Sequence, residues 1–563
     1  MKLTDHVTQV YDHYYLYDEI TALLKEYAER YPDYCRIEKT GTTKEGRDIL
    51  LIKITDTAYG DFEDKPGYYV EGNIHAGEVT GSMVIMYFLD VLFTDFESDE
   101  VQKLLKNYTI YACPRVSPDG SEYYLTTPGS VRSVNTFYPY DEPMPGLQPE
   151  DIDGDGVIRK MRIKSPSGIW KVSAQDPRVM TKRQPDADEG IFYHVYTEGM
   201  IKDFDGMTVK EAPVKYGNDF NRNYPVGWQP EEYQRGAGNY PLSSPETKAN
   251  AEYLMNHMNI CTVVDMHTSG GQVLYTPGFK SRSQCEAQDI TLYKGLAKMI
   301  GDESGYPVLN VHDEYCNPDD YITYGGFDDF CHFILGIPAI TIECWDLGRR
   351  AGVHESYPPK HLTDAEQEED MYKVMKWIDE NLNGEGFLPW TKFNHPQLGE
   401  VEIGGLYTKF VSQNPPVPFL EQELKKLSSS YFREIKALPR INLDQIKVDQ
   451  VGEAIYKIEA VIANSGYLPT YVFREGLKNR KLKPLTVTVE GGEIISGKRT
   501  EEIGQLAGYG CTSGSNAMYG IMEFSSEPCE KKVTWVIKAE PGTELSLTVS
   551  GARTGKKTKI IKL

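Results

Sequence analysis

Short apolar segments alternate with longer segments of helical periodicity through the first two thirds of the chain, and this alternation constrains the fold most. Short apolar runs between turn residues predict strands, and apolar residues that recur every three or four positions predict helices. The predicted strands are residues 48–56, 67–75, 107–116, 260–267 and 339–346. The predicted helices are residues 17–32, 81–93, 246–258, 290–304 and 365–382. This order predicts an α/β domain with a largely parallel or mixed sheet flanked by helices.

The pattern changes at two places along the chain. Residues from about 121 to 217 are rich in Asp, Gly, Pro and Tyr, and they are predicted to be long excursions from the α/β domain rather than regular elements. From 446 to 563, alternating apolar and polar residues between turns predict a small all-β sandwich. We therefore expect a catalytic-type domain over 1–385, a connecting segment with one helix over 386–445, and a C-terminal β domain.

Charge and composition exclude several classes of function. The formal net charge is −23, which argues against nucleic acid and anionic membranes as partners because both require a basic face. The sequence contains no run of 18 apolar residues, so it predicts no membrane span. The N-terminal residues lack the apolar region of a signal peptide, and the nine cysteines show no CxxC pairing. These features predict a cytoplasmic protein with reduced thiols, although a secreted protein without its leader would look the same.

His75 and Glu78 form an H-x-x-E pattern where a predicted strand meets a predicted helix, among small residues. Imidazole and carboxylate are both ordinary zinc ligands, and a catalytic zinc needs a third protein ligand plus an open position. His267, at the end of an apolar strand and before small residues, is the best third candidate. Taken alone, the pair could be a solvated His with a helix-start Glu, and His267 could be a strand-end His with satisfied hydrogen bonds.

Further residues follow in an order that resembles the zinc carboxypeptidase family, the carboxypeptidase A-like metallopeptidases. The resemblance covers roughly residues 15–385. Its motifs, in chain order, are His75 with Glu78, Asn221 with Arg222, His267, Tyr321 and Glu343. It implies a mixed eight-stranded sheet flanked by helices.

The resemblance also implies a metal and a base. One zinc ion would be bound by His75, Glu78 and His267, and Asp219 would orient the ring of His75. Glu343 would act as the general base toward a water activated by the metal.

Substrate contacts are implied by the same resemblance. Asn221 and Arg222 would hold the C-terminal carboxylate of a peptide, since the planar fork of Arg matches a carboxylate. Tyr321 would cover the bound C-terminal residue, with Tyr324 as its rival. Asp328 stands where the family places a pocket residue, and an acid there would favour basic C-terminal residues.

The run from 151 to 164 carries two further predictions. The resemblance implies that Arg162, or alternatively Arg159, stabilises the negative charge that develops on the scissile carbonyl. Asp151, Asp153 and Asp155 resemble the start of a calcium loop, so Ca²⁺ is a second candidate ion. The twelfth position of that loop would be Arg162 instead of the bidentate Glu, which excludes an EF-hand.

These residues predict a zinc metallocarboxypeptidase that hydrolyses the C-terminal bond of peptides. An alternative is a zinc amidase or deacylase of the same fold, acting on cell-wall-type peptides or acyl-amino acids. A non-catalytic binding protein is disfavoured because the three ligands and Glu343 are all present. Digestive members of the family carry Arg where this chain has Gly77, so substrate choice is expected to depend on Asp328 and on the insert.

Overall fold

The computed structural model describes residues 7–134, 142–213, 217–317, 321–511 and 527–563. Within these ranges the strands are β1 (Cys35–Thr42), β2 (Asp48–Ile54), β3 (Gly67–Gly72), β4 (Thr109–Cys113), β5 (Gly146–Pro149), β6 (Lys160–Lys164), β7 (Trp170–Val172), β8 (Met180–Lys182), β9 (Tyr193–Thr197), β10 (Gly199–Lys202), β11 (Ile260–Thr268), β12 (Gln272–Tyr275), β13 (Val308–Asn310), β14 (Ala339–Cys344), β15 (Phe387–His395), β16 (Gly399–Leu406), β17 (Ile441–Gly452), β18 (Ile455–Asn464), β19 (Leu485–Glu490), β20 (Glu493–Ser496), β21 (Thr500–Gly504), β22 (Glu530–Lys538), β23 (Glu544–Gly551) and β24 (Gly555–Lys562). The α-helices are α1 (Tyr17–Arg30), α2 (Thr80–Thr94), α3 (Asp99–Asn107), α4 (Pro118–Thr126), α5 (Pro245–Asn256), α6 (Ala287–Ser304), α7 (Phe327–Phe330), α8 (Leu347–Ala351), α9 (Asp364–Leu382), α10 (Val417–Ser428) and α11 (Tyr431–Ile435).

A mixed eight-stranded sheet forms the centre of the molecule, in the order β1-β2-β4-β3-β11-β14-β12-β13. Strands β4, β3, β11 and β14 run parallel to one another. Every residue of β11 is buried, as expected for a parallel strand covered on both faces. Helix α2 is buried on all sides from Thr80 to Phe93 and packs against the sheet and α10. The predicted mixed α/β sheet is therefore confirmed, and so are the five predicted strands and five predicted helices.

The region from about 121 to 217 is more regular than its composition suggested. Six short strands, β5 to β10, lie within it, so the prediction of irregular excursions is wrong. Strands β6 to β9 join the hairpin β15–β16 in one sheet of order β15-β16-β6-β9-β7-β8. Strands of three to five residues are too short to show a periodic pattern in the sequence. In addition, β6 pairs with β16, which lies more than 200 residues later in the chain.

Residues 386–445 do more than connect two domains. The hairpin β15–β16 completes the insert sheet, and α10 and α11 pack onto the central domain. Leu420, Leu424, Tyr431 and Phe432 belong to the same buried cluster as the central strands. The core of the first domain therefore extends through α11.

The C-terminal domain is an antiparallel β sandwich, as predicted. Its two four-stranded sheets have the orders β17-β18-β22-β20 and β21-β19-β23-β24. Burial alternates residue by residue along β18, and the inward side chains of the two sheets, including Ile458, Val487, Trp535 and Leu547, form one core. Arg553, on the turn between β23 and β24, is buried against the central domain.

Two further observations concern the whole described chain. No helix in the ranges that the structure covers is long and apolar enough to cross a membrane. All nine cysteines lie in those ranges and each is unpaired, which agrees with the predicted reduced thiols.

Candidate active site

The turn between β3 and α2 carries His75 and Glu78. Asn73 takes a left-handed conformation with φ of 64°, and its side chain donates to the carbonyls of His75 (2.8 Å) and Ala76 (3.0 Å). The first turn of α2, just after Glu78, packs closely on β11, because a Cβ added to Gly81 would lie 2.6 Å from Cβ of Met266. The small residues therefore allow the turn to bring both side chains over the sheet edge.

Parallel pairing brings His267 to the same edge. Strands β3 and β11 are parallel neighbours, with Met266 paired to Gly72, so their carboxyl ends meet. Nδ1 of His267 lies 3.1 Å from Nδ1 of His75 and 2.9 Å from Oε2 of Glu78. Oε1 of Glu78 lies 3.0 Å from Nδ1 of His75. The structure thus brings together the three side chains that the sequence suggested as ligands.

A carboxylate fixes each imidazole ring from behind. Asp219 accepts from Nε2 of His75 at 2.9 Å, as expected from sequence, and Asp265 accepts from Nε2 of His267 at 2.7 Å. With both Nε2–H groups donated in this way, the Nδ1 lone pairs face each other and Glu78. Sequence reasoning missed Asp265. The signal was its position two residues before His267 in a strand, where alternate residues share a face.

The donor set fits a zinc ion. Two imidazole nitrogens and one carboxylate converge within 4.8 Å in a buried site, the arrangement that catalytic zinc sites use. Ligands at about 2.0–2.1 Å from a tetrahedral ion lie about 3.3 Å apart, close to the separations seen here. Burial acts to raise the pKa of Glu78, but the adjacent His75 and His267 rings outweigh it and hold that pKa well below its ordinary value. The carboxylate is therefore ready to bind a cation.

Glu343 lies beside this cluster, at the end of β14. It is the register partner of His267 across the parallel pair β11–β14. Burial raises the pKa of Glu343 to about 8, the charge of Glu78 adds to the rise, and His267 and Arg132 oppose it. A pKa near neutrality suits a group that must take up and release a proton. The position of Glu343 is thus compatible with the predicted general base.

Arg132 also lies in the site, and sequence reasoning missed it. Its Nη1 donates to Oε1 of Glu78 at 3.1 Å, and its Nε donates to Oδ2 of Asp219 at 2.9 Å. Its backbone carbonyl accepts from Ala76 of the ligand turn at 2.8 Å. Arg132 thus connects the first ligand pair with the carboxylate that orients His75.

The structure places the two predicted oxyanion arginines elsewhere. Arg162 lies in the insert sheet, donates to Glu402 at 2.6 Å and stacks on the rings of Trp390 (4.5 Å) and Tyr193 (4.7 Å). Arg159 pairs with Asp155 at 2.9 Å. Strand pairing between β6 and β16 directs Arg162 toward Glu402, its register partner. The position near the ligands belongs to Arg132, so the prediction of Arg162 or Arg159 is corrected.

Arg222 and Tyr321 meet at one wall of a cavity of about 530 Å³ that Arg132 and Asp219 also line. Nε of Arg222 donates to the Tyr321 hydroxyl at 3.2 Å, and Tyr321 is 46% exposed. The same hydroxyl accepts from Gln234 at 3.0 Å, a residue that sequence reasoning missed. The predicted rival Tyr324 bonds to Gln234 through its backbone N–H at 3.1 Å. Tyr321 is therefore the tyrosine whose hydroxyl bonds to Arg222.

Asn221 and Asp328 both lie beside Gly326. Oδ1 of Asn221 accepts from the backbone of Phe327 at 2.8 Å. A Cβ added to Gly326 would meet Oδ1 of Asp328 at 2.8 Å and Oδ1 of Asn221 at 3.6 Å, so both oxygens face that glycine. Desolvation raises the pKa of Asp328, and the backbone N–H of Asp329, which donates to its carboxylate at 3.0 Å, opposes the rise. The neighbouring Asp329 does not share this position, because its carboxylate accepts a hydrogen bond from the Gly278 N–H at 3.1 Å.

In the predicted calcium turn, two of the three aspartates lie together with a further acid. Asp151 and Asp153 lie near Glu198, whereas Asp155 turns away to Arg159. The carboxylate of Asp151 accepts backbone N–H groups of the same turn at 2.8 and 2.9 Å, and Glu198 accepts from Ile152 at 2.8 Å. These bonds account for the shape of the turn, and calcium here stays a prediction from sequence.

Comparison with known proteins gives two family matches. The model of the zinc carboxypeptidase family matches residues 20–373, more than half of the chain. A domain of unknown function matches residues 440–562.

Individual relatives match shorter stretches. Zinc carboxypeptidase A 1 of Drosophila melanogaster is 34% identical over 128 residues, which is 22% of this chain and 29% of that protein. Carboxypeptidase B of Astacus astacus is 32% identical over 113 residues, 20% of this chain and 35% of that protein. A crystal structure of carboxypeptidase A from Helicoverpa armigera superposes with a TM-score of 0.38 and 17% identity over 67% of this chain and 74% of that one. The matched stretches thus cover 35% or less of the two curated relatives.

Proposed function

Because this chain belongs to the zinc carboxypeptidase family, we propose that it is a zinc-dependent peptidase that releases single residues from the C-termini of peptides. One observation carries the proposal. The predicted ligands His75, Glu78 and His267 converge at a sheet edge where Glu343 also lies, and Arg222 with Tyr321 lines a cavity that shares Arg132 and Asp219 with this cluster.

The proposed reaction needs a metal that activates water and a base that transfers its proton. Zinc held by His75, Glu78 and His267 would supply a Lewis acid and an activated water. Glu343 accepts the proton of the attacking water and delivers it to the departing amine. Its raised pKa allows both transfers near neutral pH, and the positive charge of a bound ion would favour its ionised form before the attack.

Arg132 takes the role that sequence had given to Arg162. Its guanidinium is held by Glu78 and Asp219 and forms part of the cavity wall. A fixed cation beside the metal ligands can stabilise the negative charge that develops on the carbonyl oxygen, with no reorganisation during the reaction.

Arg222 supplies the contact that makes the enzyme an exopeptidase. Its planar fork can bind a free carboxylate with two hydrogen bonds, and Tyr321 stands beside it with a partly exposed ring that can cover the bound residue. Asn221 is anchored by Phe327 next to this pair. A peptide bound here would present its last peptide bond toward Glu343 and the ligands.

Asp328 supports a preference for Lys or Arg as the released residue. Its carboxyl lies beside Asn221 and is partly exposed, so the cation of a basic side chain can pair with it. Asp328→Asn should lower the ratio of kcat/KM for C-terminal Lys over C-terminal Phe about tenfold, the effect of losing one charge-assisted hydrogen bond. An unchanged ratio would contradict this preference.

The proposal is tested by comparing otherwise identical peptides with free and amidated C-termini. Amidation removes the carboxylate that Arg222 is proposed to bind, so kcat/KM should fall at least about a hundredfold for the amidated peptide. Equal hydrolysis of both peptides would contradict the exopeptidase and favour an amidase-type activity of the same fold. Arg222→Lys keeps the charge without the fork, and it should lose most of the discrimination.

A further inference from the structure

One short segment outside the family match contacts three parts of the candidate active site. It consists of residues 408–415, a π-helical turn at Thr408–Gln413 followed by Asn414 and Pro415. The family match ends at residue 373. The segment contacts the ligand turn between β3 and α2, the chain that leads to Arg132, and the chain that follows Glu343.

Asn414 bonds directly to the ligand turn. Its Nδ2 donates to the carbonyl of Gly77 at 2.7 Å, and its Oδ1 accepts from the backbone N–H (3.2 Å) and the hydroxyl (2.8 Å) of Thr80. Gly77 and Thr80 lie on either side of Glu78, and Thr80 is the first residue of α2. Asn414 is fully buried, so these groups have no water to replace it. Its amide fixes the backbone that holds Glu78.

Lys409 fixes the approach to Arg132. Its Nζ donates to the carbonyls of Tyr124 (2.8 Å), Thr127 (2.7 Å) and Gly129 (2.6 Å), where α4 ends. Arg132 follows three residues later. The ammonium group therefore anchors the loop from which Arg132 reaches Glu78 and Asp219.

Val411 connects the same segment to the strand of the proposed base. Its carbonyl accepts from Nε1 of Trp345 at 2.7 Å, and Trp345 follows Glu343 by two residues. The indole is fully buried. Segment 408–415 thus forms hydrogen bonds with the ligand turn, with the loop before Arg132 and with the chain that follows Glu343.

Gln413 explains why residue 77 is glycine. A Cβ at position 77 would lie 2.8 Å from Nε2 of Gln413 and 2.8 Å from Cε2 of Tyr124. Tyr124 is itself held, because its hydroxyl donates to Oε1 of Gln413 at 2.9 Å. Gln413 and Tyr124 together fill the space beside residue 77.

We propose that segment 408–415 positions the metal ligands, with Asn414 as its central positioning residue. This inference rests on the proposed function and deepens it: the catalytic unit of this chain includes residues beyond the family match. Loss of a residue that orients metal ligands costs about 10–100-fold in metal affinity, and Asn414 acts through the backbone, so we expect about tenfold.

The test compares Asn414→Leu with Asn464→Leu in the full chain. Leu has nearly the shape of Asn but cannot form hydrogen bonds. Asn464 is a matched control, because it is also buried, donates to Leu468 (2.9 Å) and Ala507 (3.0 Å), and accepts from Arg440 (2.9 Å) and Gly466 (3.0 Å), all away from the ligands. Zinc affinity is measured by chelator competition well below the Tm of each variant, and the visible spectrum of the Co²⁺ form is recorded.

The expected result is about tenfold weaker zinc binding and an altered Co²⁺ spectrum for Asn414→Leu, with Asn464→Leu binding zinc as wild type does. Wild-type zinc affinity in Asn414→Leu, or an equal loss in Asn464→Leu, would overturn the inference while leaving the proposed peptidase intact. If the wild type binds zinc but cleaves no peptide, the proposed function fails, and a selective loss in Asn414→Leu still supports the inference. A wild type that binds no zinc overturns both.

A second pair of variants serves if Asn414→Leu does not fold. Gly77→Ala should weaken zinc binding several-fold, because its methyl group presses on Gln413 and Tyr124. Adding Gln413→Ala removes one of those contacts and should restore part of the affinity. Unchanged zinc binding in Gly77→Ala, or a double variant no better than the single one, would overturn the inference.

Discussion

The two ends of strand β11 differ in how their polar groups are used. At the carboxyl end, His267 turns its Nδ1 toward His75 and Glu78, and two buried oxygens, Oδ1 of Asp265 and Oγ1 of Thr268, have no protein partner among the described residues. The Nδ1 lone pairs of His75 and His267 face each other here without a donor between them, which is unfavourable until a cation is bound.

At the amino end of the same strand, a side chain from the C-terminal sandwich closes the structure. Arg553 is buried and donates to the carbonyls of Met258 (2.9 Å), Ile260 and Leu335 (2.6 Å). Its own carbonyl accepts from the thiol of Cys261 at 3.1 Å. The sandwich therefore braces the end of the sheet that lies away from the ligands.

This difference separates chemistry from stability along one strand. Variants at the carboxyl end should change metal binding and rate with little loss of stability. Variants at the amino end should change stability with little effect on the rate of the folded enzyme.

The largest effect is expected for Glu343→Gln at the carboxyl end. The amide cannot accept the proton of the attacking water, so kcat should fall about 10²–10⁴-fold. Stability should hold, since Gln removes the repulsion between the carboxylates of Glu343 and Glu78. Peptidase kinetics and thermal unfolding check both statements, with the exposed Glu380→Gln as control. Full activity in Glu343→Gln would show that Glu343 is not the general base.

Arg553→Leu is the corresponding variant at the amino end. It leaves two buried carbonyls and one half-buried carbonyl without their donor, so the free energy of unfolding should fall by about 3 kcal/mol. At 20 °C the folded fraction should keep kcat/KM within about twofold of wild type, since no group near the ligands changes. Denaturant unfolding and kinetics measure the two quantities, with the exposed Arg480→Leu as control. A large loss of kcat/KM with unchanged stability would reverse the comparison.

Asp265→Asn acts on the orientation of a ligand at the carboxyl end. The neutral amide accepts more weakly from Nε2 of His267 and lowers the basicity of the ring, so zinc affinity should fall about tenfold. Competition with a chelator measures the affinity, and the exposed Asp302→Asn controls for loss of charge. Unchanged zinc affinity would mean that Asp265 does not support His267.

A pH-dependent effect on stability is expected for Glu434, a buried acid near the amino end of the neighbouring strand β3. Tyr68 donates to its Oε2 at 3.4 Å, and burial raises its pKa from 4.5 to about 8, opposed by Ser430 and Tyr68. The folded state therefore keeps a proton that the unfolded chain releases between these values. This group stabilises the fold most below about pH 4.5, and its contribution is lost at about 1.4 kcal/mol per pH unit as pH rises toward 8. Glu434→Gln should remove that slope from the pH dependence of unfolding, and an unchanged slope would contradict the assignment.

The sequence predicted the central sheet and the ligand cluster because both follow local patterns. His75 and Glu78 share one turn, and His267 ends a strand that is apolar along its length. Asp265 was predictable from the period of that strand, which places it on the face of His267. Arg132 was not, because its contacts with Glu78 and Asp219 depend on how a loop after α4 packs against two other segments.

Long-range pairing also explains what the sequence left out of the fold. Arg162 stands in a run that resembles the family motif, but its strand pairs with β16, more than 200 residues away. The same pairing gives order to a region that looked irregular. Nor does any local signal join Asn414 to Gly77, since the bond between them spans 337 residues.

The most direct test of the account is a crystal structure of the zinc-loaded protein with anomalous data at the zinc edge. The account predicts one zinc ion bonded to Nδ1 of His75, Nδ1 of His267 and the carboxylate of Glu78, with Glu343 facing its open position. An ion bound through Nε2 of either ring, or at another group of side chains, would contradict it.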